Sequence, residues 1–301
     1  MTIACVWLNN SFGKSRITAI ADSRASITAN KATTIETDDT VKLVPIGLHC
    51  HKLDALDLHF ERFIGPYFQT ELGIAYSGDC FSAFNIIALF SRAMGQLATE
   101  IDDALPGADG IAEALRSVVD AFFAKAQGYT KGRDVDFLLF GYEPTSEQPW
   151  VAELSRRAAD ATKINVVNPI GSADFFCIGD GTNAHDFLDN TKDVRRRIKV
   201  HAEGLRLKPE EDAIFQLELE AARLEVANKK AVEENALGVI ESTFIETVGG
   251  ELQKLEVHPY GRSAFASHTA GLGYHILRNV PPLPPGIHFP TVTELAGRKK
   301  R

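Results

Sequence analysis

The sequence has no apolar run approaching the ~20 residues that a membrane-spanning helix needs. Its longest apolar stretch, from Phe84 to Ala98, is broken by Asn85, Ser91, Arg92 and Gln96. The first residues lack a basic segment followed by an apolar one, so no signal peptide is expected and a cytoplasmic protein is the default. Cysteine is scarce: Cys5, Cys50, Cys80 and Cys177 have no CxxC spacing, so they read as reduced, mostly buried thiols rather than a disulfide framework or a zinc site. Positive charge is also in deficit. A net charge of -8 argues against a general nucleic-acid binder. The basic clusters at Arg195, Arg196, Arg197 and Lys199, and at Arg298 to Arg301, are expected to be a solvated helix face and a frayed tail. There is no internal repeat and no low-complexity linker, which favours one elaborated domain over two.

What is present is a succession of short β-rich runs and two helical blocks. Thr2 to Asn9 and Arg16 to Asp22 are rich in β-branched and apolar residues and are split by turn chemistry at Asn9 to Gly13, which predicts a hairpin. Val41 to Ile46 and Leu72 to Ser77 predict further strands, with an irregular, His-rich segment from Gly47 to Gln69 between them. Helical patterns follow at Phe81 to Asp103 and Ile111 to Lys125, parted by Pro106-Gly107. Strands are expected again at Asp136 to Tyr142, Trp150 to Leu154 and Asp174 to Ile178, then helix from Thr182 to about Thr247 and a strand at Glu251 to Val257. The Pro-rich run from Val280 to Gly286 is expected to be extended. Segregated blocks of this kind suit a layered α+β fold with sheets packed face to face and helices outside.

The segment Ile20-Ala21-Asp22-Ser23-Arg24-Ala25-Ser26, twenty residues after Thr2 at the head of the first predicted strand, resembles the proteasome β-subunit family of N-terminal-nucleophile hydrolases. Further matches occur in the same chain order: Thr40 to Ile46, Gly73 to Asp79, Phe137 to Tyr142, Phe176 to Gly181, and Val248-Gly249-Gly250. Each fragment is weak alone, whereas six in order across residues 2 to about 257 are specific. Among bacterial members the pattern is most similar to the ancestral-β-subunit group, Anbu. The resemblance implies a four-layer αββα sandwich of two antiparallel sheets. It also implies a single domain over 1–301, with insertions near 47–69 and 190–230 and an extended tail at 258–301.

The chemistry implied is that of a threonine peptidase. A hydroxyl becomes a nucleophile when a base takes its proton, and a free α-amine on the same residue, with a pKa of ~7.7 to 8.0, is such a base. Thr2 supplies both once Met1 is removed, which its small side chain favours. By the same resemblance Lys42 sits beside the Thr2 hydroxyl and favours the alkoxide, Asp22 holds Lys42, and the Gly78 N–H faces the oxyanion. Ser26 matches a strand position that hydrogen-bonds an extended peptide, and Thr40, Val44, Tyr76 and Cys80 border a pocket for medium-sized apolar side chains. Asp180 stands where the family usually has serine, and Glu246-Thr247-Val248 stands where it usually has an aspartate and a serine; Asp180 and Glu246 are the candidates to support the amine.

Taken singly, these residues have ordinary explanations: Asp22 ends a strand, Lys42 lies on a surface, Gly78-Asp79 turns into a helix. His49-Cys50-His51, with His59, Asp54 and Asp57 nearby, are metal-capable types without paired spacing, so no metal and no cofactor is expected. The partners implied are a peptide or protein substrate and other copies of the chain in a ring or open ring, with an unfoldase or regulator open, and no nucleic acid or membrane. Two other functions stay in play: a noncatalytic scaffold subunit of the same fold, and an amidase acting on a small non-peptide amide.

Overall fold

The computed structural model describes residues 3–11, 14–29, 32–37, 40–53, 63–99, 104–128, 133–157, 160–171, 174–179, 253–259 and 263–267. The expected helices between Thr182 and Thr247, the basic clusters and the Pro-rich run lie outside the described residues. The architecture is α+β; the described residues form two large antiparallel-dominated sheets, a small hairpin and two helices.

The first sheet is built on the predicted opening hairpin. Strand β1 (Ile3–Ser11) turns into β2 (Lys14–Ala21), with Ala4 opposite Ala21 and Ser11 opposite Lys14. Strand β11 (Phe175–Gly179) pairs on the free side of β1, and β12 (Gln253–Val257) pairs with β2, followed by β13 (Ser263–Ser267). The order across this sheet is β11-β1-β2-β12-β13.

The second sheet is organised by a long hairpin, β5 (Leu43–Leu53) and β6 (Phe63–Gly78). Here the structure differs from the sequence-based expectation: residues 47–53 and 63–69 continue the two strands instead of forming an irregular segment. The reason is a period-two pattern, in which Ile46, Leu48 and Cys50 are buried while Gly47, His49 and His51 occupy the other, half-buried face. Strands β8 (Val135–Tyr142), β9 (Pro149–Arg156) and β10 (Lys163–Val167) extend the sheet beyond β6. The short β7 (Leu97–Thr99) runs parallel to β5 at the other edge. Gly73 in mid-strand lets Phe140 lie against the backbone of β6; a Cβ there would stand 2.1 Å from the ring.

Helix α1 (Cys80–Met94) starts at Asp79, whose carboxylate accepts from the Ser82 N–H at 2.9 Å, and it stops at Gly95 rather than at Asp103. Helix α2 (Ala108–Ala124) begins after Gly107, with Glu143 Oε1 taking the Ala108 N–H at 3.2 Å. Both helices lay an apolar stripe on the second sheet: Ala83, Ile86, Ile87, Phe90 and Met94 from α1, and Ile111, Ala112, Leu115 and Val119 from α2. No described helix is long and apolar enough to cross a membrane.

A second core lies between the sheets, from Ala4, Val6, Leu8, Ile17 and Ala19 on one side to Leu43, Ala75, Leu138, Phe140 and Val151 on the other. The outward-pointing set of the first sheet is buried as well: Ile3, Cys5, Trp7, Thr18 and Ile20 are each at most 5% exposed. β1 and β2 therefore read as apolar on both faces, which is why their sequences hardly alternate.

Between β2 and β5 the chain makes a two-stranded excursion, β3 (Ala25–Ala29) and β4 (Ala32–Thr37), with a register shift at Ala25/Ser26. Its two feet, residues 22–24 and 40–42, meet where the Thr40 N–H donates to the Ser23 carbonyl at 2.8 Å.

Candidate active site

The feet of that hairpin carry the first two site residues. Asp22 follows the last residue of β2 and continues the ladder through its own N–H to the Ile3 carbonyl, at 3.2 Å. Lys42 precedes β5, and its carbonyl accepts from the Tyr76 N–H at 3.3 Å. Returning the chain through β3 and β4 brings the side chains of Asp22 and Lys42 together across twenty residues of sequence: Nζ donates to Oδ1 at 2.9 Å, with both side chains wholly buried.

The Asp22 carboxylate is held from three sides. Its Oδ1 accepts both the Lys42 ammonium and the Ile3 N–H, the latter at 3.1 Å, and Oδ2 accepts the Arg24 N–H at 3.3 Å. One oxygen thus ties the lysine to the first described amide of β1. A charged pair so deep is costly, and the two backbone donors offset part of that cost on the carboxylate side.

Burial pushes the Lys42 ammonium below its ordinary pKa; Asp22 pulls it back up, the Cys80 thiol acts in the same direction as Asp22, and Arg24 acts against them. Burial drives the Tyr76 phenol well up, and the neighbouring Cys80 and Asp22 add to the effect. Lys42, Asp22, Arg24, Tyr76 and Cys80 therefore form one electrostatic cluster.

Sequence reasoning missed the residue that fixes this cluster's backbone. Gln253 on β12 lies opposite Ala21 and is buried. Its Oε1 accepts the Lys42 N–H at 2.8 Å and the Leu43 N–H at 3.4 Å, while its Nε2 donates to the Thr40 carbonyl at 2.6 Å. A signal was available: Gln253, Leu255 and Val257 share the inward face of an alternating strand, and a glutamine in an apolar slot needs partners.

Gly78 ends β6 with φ +95°, and a Cβ there would meet the Asp134 carbonyl oxygen at 2.3 Å, so only glycine fits the turn. Next to it Ser77 donates to Asp136 Oδ2 at 3.2 Å, and Arg157 grips Asp136 with two nitrogens, at 2.7 and 2.9 Å.

The remaining sequence candidates distribute as follows. Cys80 is the half-buried first residue of α1; Val44 is half-buried against the helix–sheet core; Thr40 is buried and engaged through its backbone. Tyr76 is wholly buried with its ring edge-to-face on Phe84, at 5.5 Å between centroids. Ser26 lies at the bulged base of β3. Thr2, Asp180 and Glu246 lie outside the described residues. Among the described residues, no cluster of three or more His, Cys, Asp or Glu is placed to hold a metal ion.

No family model and no curated protein matches the chain. Among solved structures it is similar to the helical assembly of the Anbu complex from Pseudomonas aeruginosa, with 12% identity, TM-score 0.47, and 95% of this chain and 99% of that one covered. It is likewise similar to an Anbu Gly-1 mutant from Hyphomicrobium sp. strain MC1, with 12% identity, TM-score 0.47, and 94% and 100% covered. Anbu from Yersinia bercovieri is similar at 12% identity and TM-score 0.45, with 94% and 100% covered. The chain is thus similar to solved Anbu, or ancestral β-subunit, structures over nearly its whole length, at an identity and superposition that transfer no chemistry, assembly or partner to it.

Proposed function

We propose that the chain is a threonine-type hydrolase of the proteasome-like N-terminal-nucleophile kind, which cleaves peptide bonds through an ester on Thr2. The observation that carries this reading is the buried Asp22–Lys42 pair, gathered on the same carboxylate oxygen that takes the Ile3 N–H. That amide is the one residue 2 shares with residue 3, so the proposal puts the lysine beside the nucleophile. A wholly buried, hydrogen-bonded lysine with a lowered pKa is a costly arrangement, of the kind found at sites where a developing negative charge must be met.

In this mechanism whatever precedes Thr2 is first cleaved, freeing its α-amine. The amine takes the hydroxyl proton as Oγ attacks the peptide carbonyl, and the Lys42 ammonium favours the alkoxide. The Gly78 N–H receives the oxyanion. Collapse breaks the C–N bond, and the leaving amine takes the proton from the α-ammonium. A water molecule, deprotonated by the amine, then hydrolyses the ester. Asp180 and Glu246 support the amine, Ser26 hydrogen-bonds the extended substrate, and Thr40, Val44, Tyr76 and Cys80 border the side-chain pocket.

We further infer a fourth, helical layer over the first sheet, giving an αββα sandwich in one domain; the burial of Ile3, Cys5, Trp7 and Ile20 on its outward face supports it. Self-association is supported by Phe81, Phe84 and Leu89, large apolar side chains that stand exposed on α1. Sedimentation at micromolar concentration tests this, and a monomer of 32.9 kDa alone would count against it.

The decisive experiment is intact mass after incubation with an epoxyketone, which reports the freed Thr2 amine and the hydroxyl together. The processed wild-type chain is expected to gain one adduct, Thr2→Ser to keep part of the reactivity, and Thr2→Ala to lose hydrolysis by several orders of magnitude. A processed Thr2→Ala chain that hydrolyses peptides as fast as the parent sinks the proposal. Adduct formation without peptide hydrolysis would instead favour the small-amide reading.

A further inference from the structure

Two of the four cysteines are opposed in the first sheet. Cys5 on β1 and Cys177 on β11 are direct partners in the antiparallel register, and the Cys5 thiol donates to Cys177 Sγ at 3.1 Å. Opposed residues of an antiparallel pair have Cα atoms about 4.5 to 5.5 Å apart, inside the ~4.4 to 6.8 Å that a disulfide spans. Joining the two sulfurs therefore needs side-chain rotation and no change of strand register. The environments of the two thiols differ: Cys5 is wholly buried, whereas Cys177 is half-buried.

We propose that Cys5 and Cys177 form an oxidation site, at which a hydroperoxide converts the thiol pair into a cross-strand disulfide and a thiol reductant reopens it. The half-buried Cys177, as thiolate, attacks the peroxide oxygen; the O–O bond breaks, hydroxide (or alkoxide) leaves, and Cys177 becomes a sulfenic acid. Cys5 then attacks that sulfur, the S–O bond breaks, and the sulfenic oxygen leaves as water carrying the Cys5 proton. The thiols are oxidised by two electrons and the peroxide is reduced by two. Exposure assigns the order: the half-buried Cys177 is the sulfur a peroxide reaches, while burial and the neighbouring Cys177 push the Cys5 thiol up and keep it protonated until the second step. The bond would fasten β11 to β1 two register positions from the Ile3–Gly179 pair. The inference does not depend on the proposed hydrolase activity.

The test is to expose the native full chain to hydrogen peroxide, alkylate the remaining thiols, and measure intact mass and a non-reducing peptide map. Expected are a loss of two hydrogens, two alkylated cysteines instead of four, a linked Cys5–Cys177 peptide, and full reversal by dithiothreitol. In Cys5→Ser the reaction should stop at the Cys177 sulfenic acid, captured by a dimedone probe; Cys177→Ser should give neither product. If either variant fails to fold, the wild-type map decides alone. A map in which Cys80 or Cys50 oxidises while Cys5 and Cys177 stay unlinked overturns the proposal, as does linkage that forms only after denaturation. Hydrogen exchange at the Ile3 to Trp7 amides should slow in the oxidised chain, and unchanged exchange would remove the claim that the bond fastens the strands.

Discussion

Asp22 with Lys42 and Asp136 with Arg157 flank the end of β6, one on each side of the Gly78 turn, at 2.9 and 2.7 Å. By distance they are the same interaction. By surroundings they differ: the first pair has no exposed side-chain surface, whereas in the second Arg157 is 49% and Asp136 12% exposed. Water screens the Arg157 pair and leaves it worth about 0 to 1 kcal/mol. No water screens the Lys42 pair, so either charge left alone is heavily penalised. The lesson is that an ion pair's role follows from what surrounds it. Arg157 keeps Asp136 and the strand ends in place, whereas Lys42 is a charge confined at a site where chemistry can use it.

The largest break in this contrast is expected from Lys42→Ala. The residue is among the largest fully buried side chains, so its loss leaves both a cavity and a buried Asp22 carboxylate deprived of the Lys42 ammonium. A destabilisation of about 3 to 5 kcal/mol should appear in the denaturant midpoint, together with loss of epoxyketone labelling. Combining Asp22→Asn with Lys42→Met removes the stranded charge and should recover much of the stability while labelling stays lost. A double variant as unstable as Lys42→Ala would show that packing, not charge, sets the penalty.

Gln253→Ala should come next. It strips the Lys42 and Leu43 N–H groups and the Thr40 carbonyl of buried partners, at about 1 to 3 kcal/mol for a group left unsatisfied. If Gln253 positions Lys42, labelling should fall more steeply than stability does. Equal labelling by the folded variant would confine the residue to a structural role.

Alkaline titration sharpens the contrast without any substitution of the pair members. The Lys42 pKa is lowered in the folded chain, so between that value and the ordinary lysine value the unfolded chain binds more protons. The contribution of this group to stability therefore rises with pH across that window, and its penalty is full below it. Labelling should fall across the same window as the ammonium is lost. A labelling profile flat up to the ordinary lysine range would contradict a catalytic charge on Lys42. Arg157, whose pKa is raised chiefly by its hydrogen bond to Asp136, should show no alkaline limb at all.

The smallest effect is expected from Arg157→Ala, at no more than about 1 kcal/mol in chemical denaturation. A loss of several kcal/mol would mean that the Asp136 network behind Gly78 is coupled to the site after all.

Much of the scaffold was legible because it is written locally. The β1–β2 hairpin, the strand at 135–142 and the apolar stripes of the two helices follow from period and turn chemistry. Asp22 and Lys42 were legible through the order of weak motifs, although nothing in their spacing alone says that a hairpin excursion joins them. Gln253 was not legible as a site residue, because its partners stand more than two hundred positions away and no local rule pairs them. The His-rich stretch misled for a different reason: polar residues at 49 and 51 mask an alternation whose buried half is Leu48 and Cys50. The short strands at 97–99 and 163–167 carry too few residues to show a period against their neighbours.

The hairpin between Ser23 and Thr40 has one more consequence, for how far this site can be altered. Its feet are tied to each other by a backbone hydrogen bond and to the sheets by Asp22, Lys42 and Gln253. The separation of the two charges is therefore set at the base, and the length of the excursion above it is a free variable. Lengthening such a loop costs little, about 0.6 kcal/mol for each doubling. The tip of β3 and β4 is thus a place where sequence can be exchanged, shortened by pairs or grafted from elsewhere with the ion pair left standing.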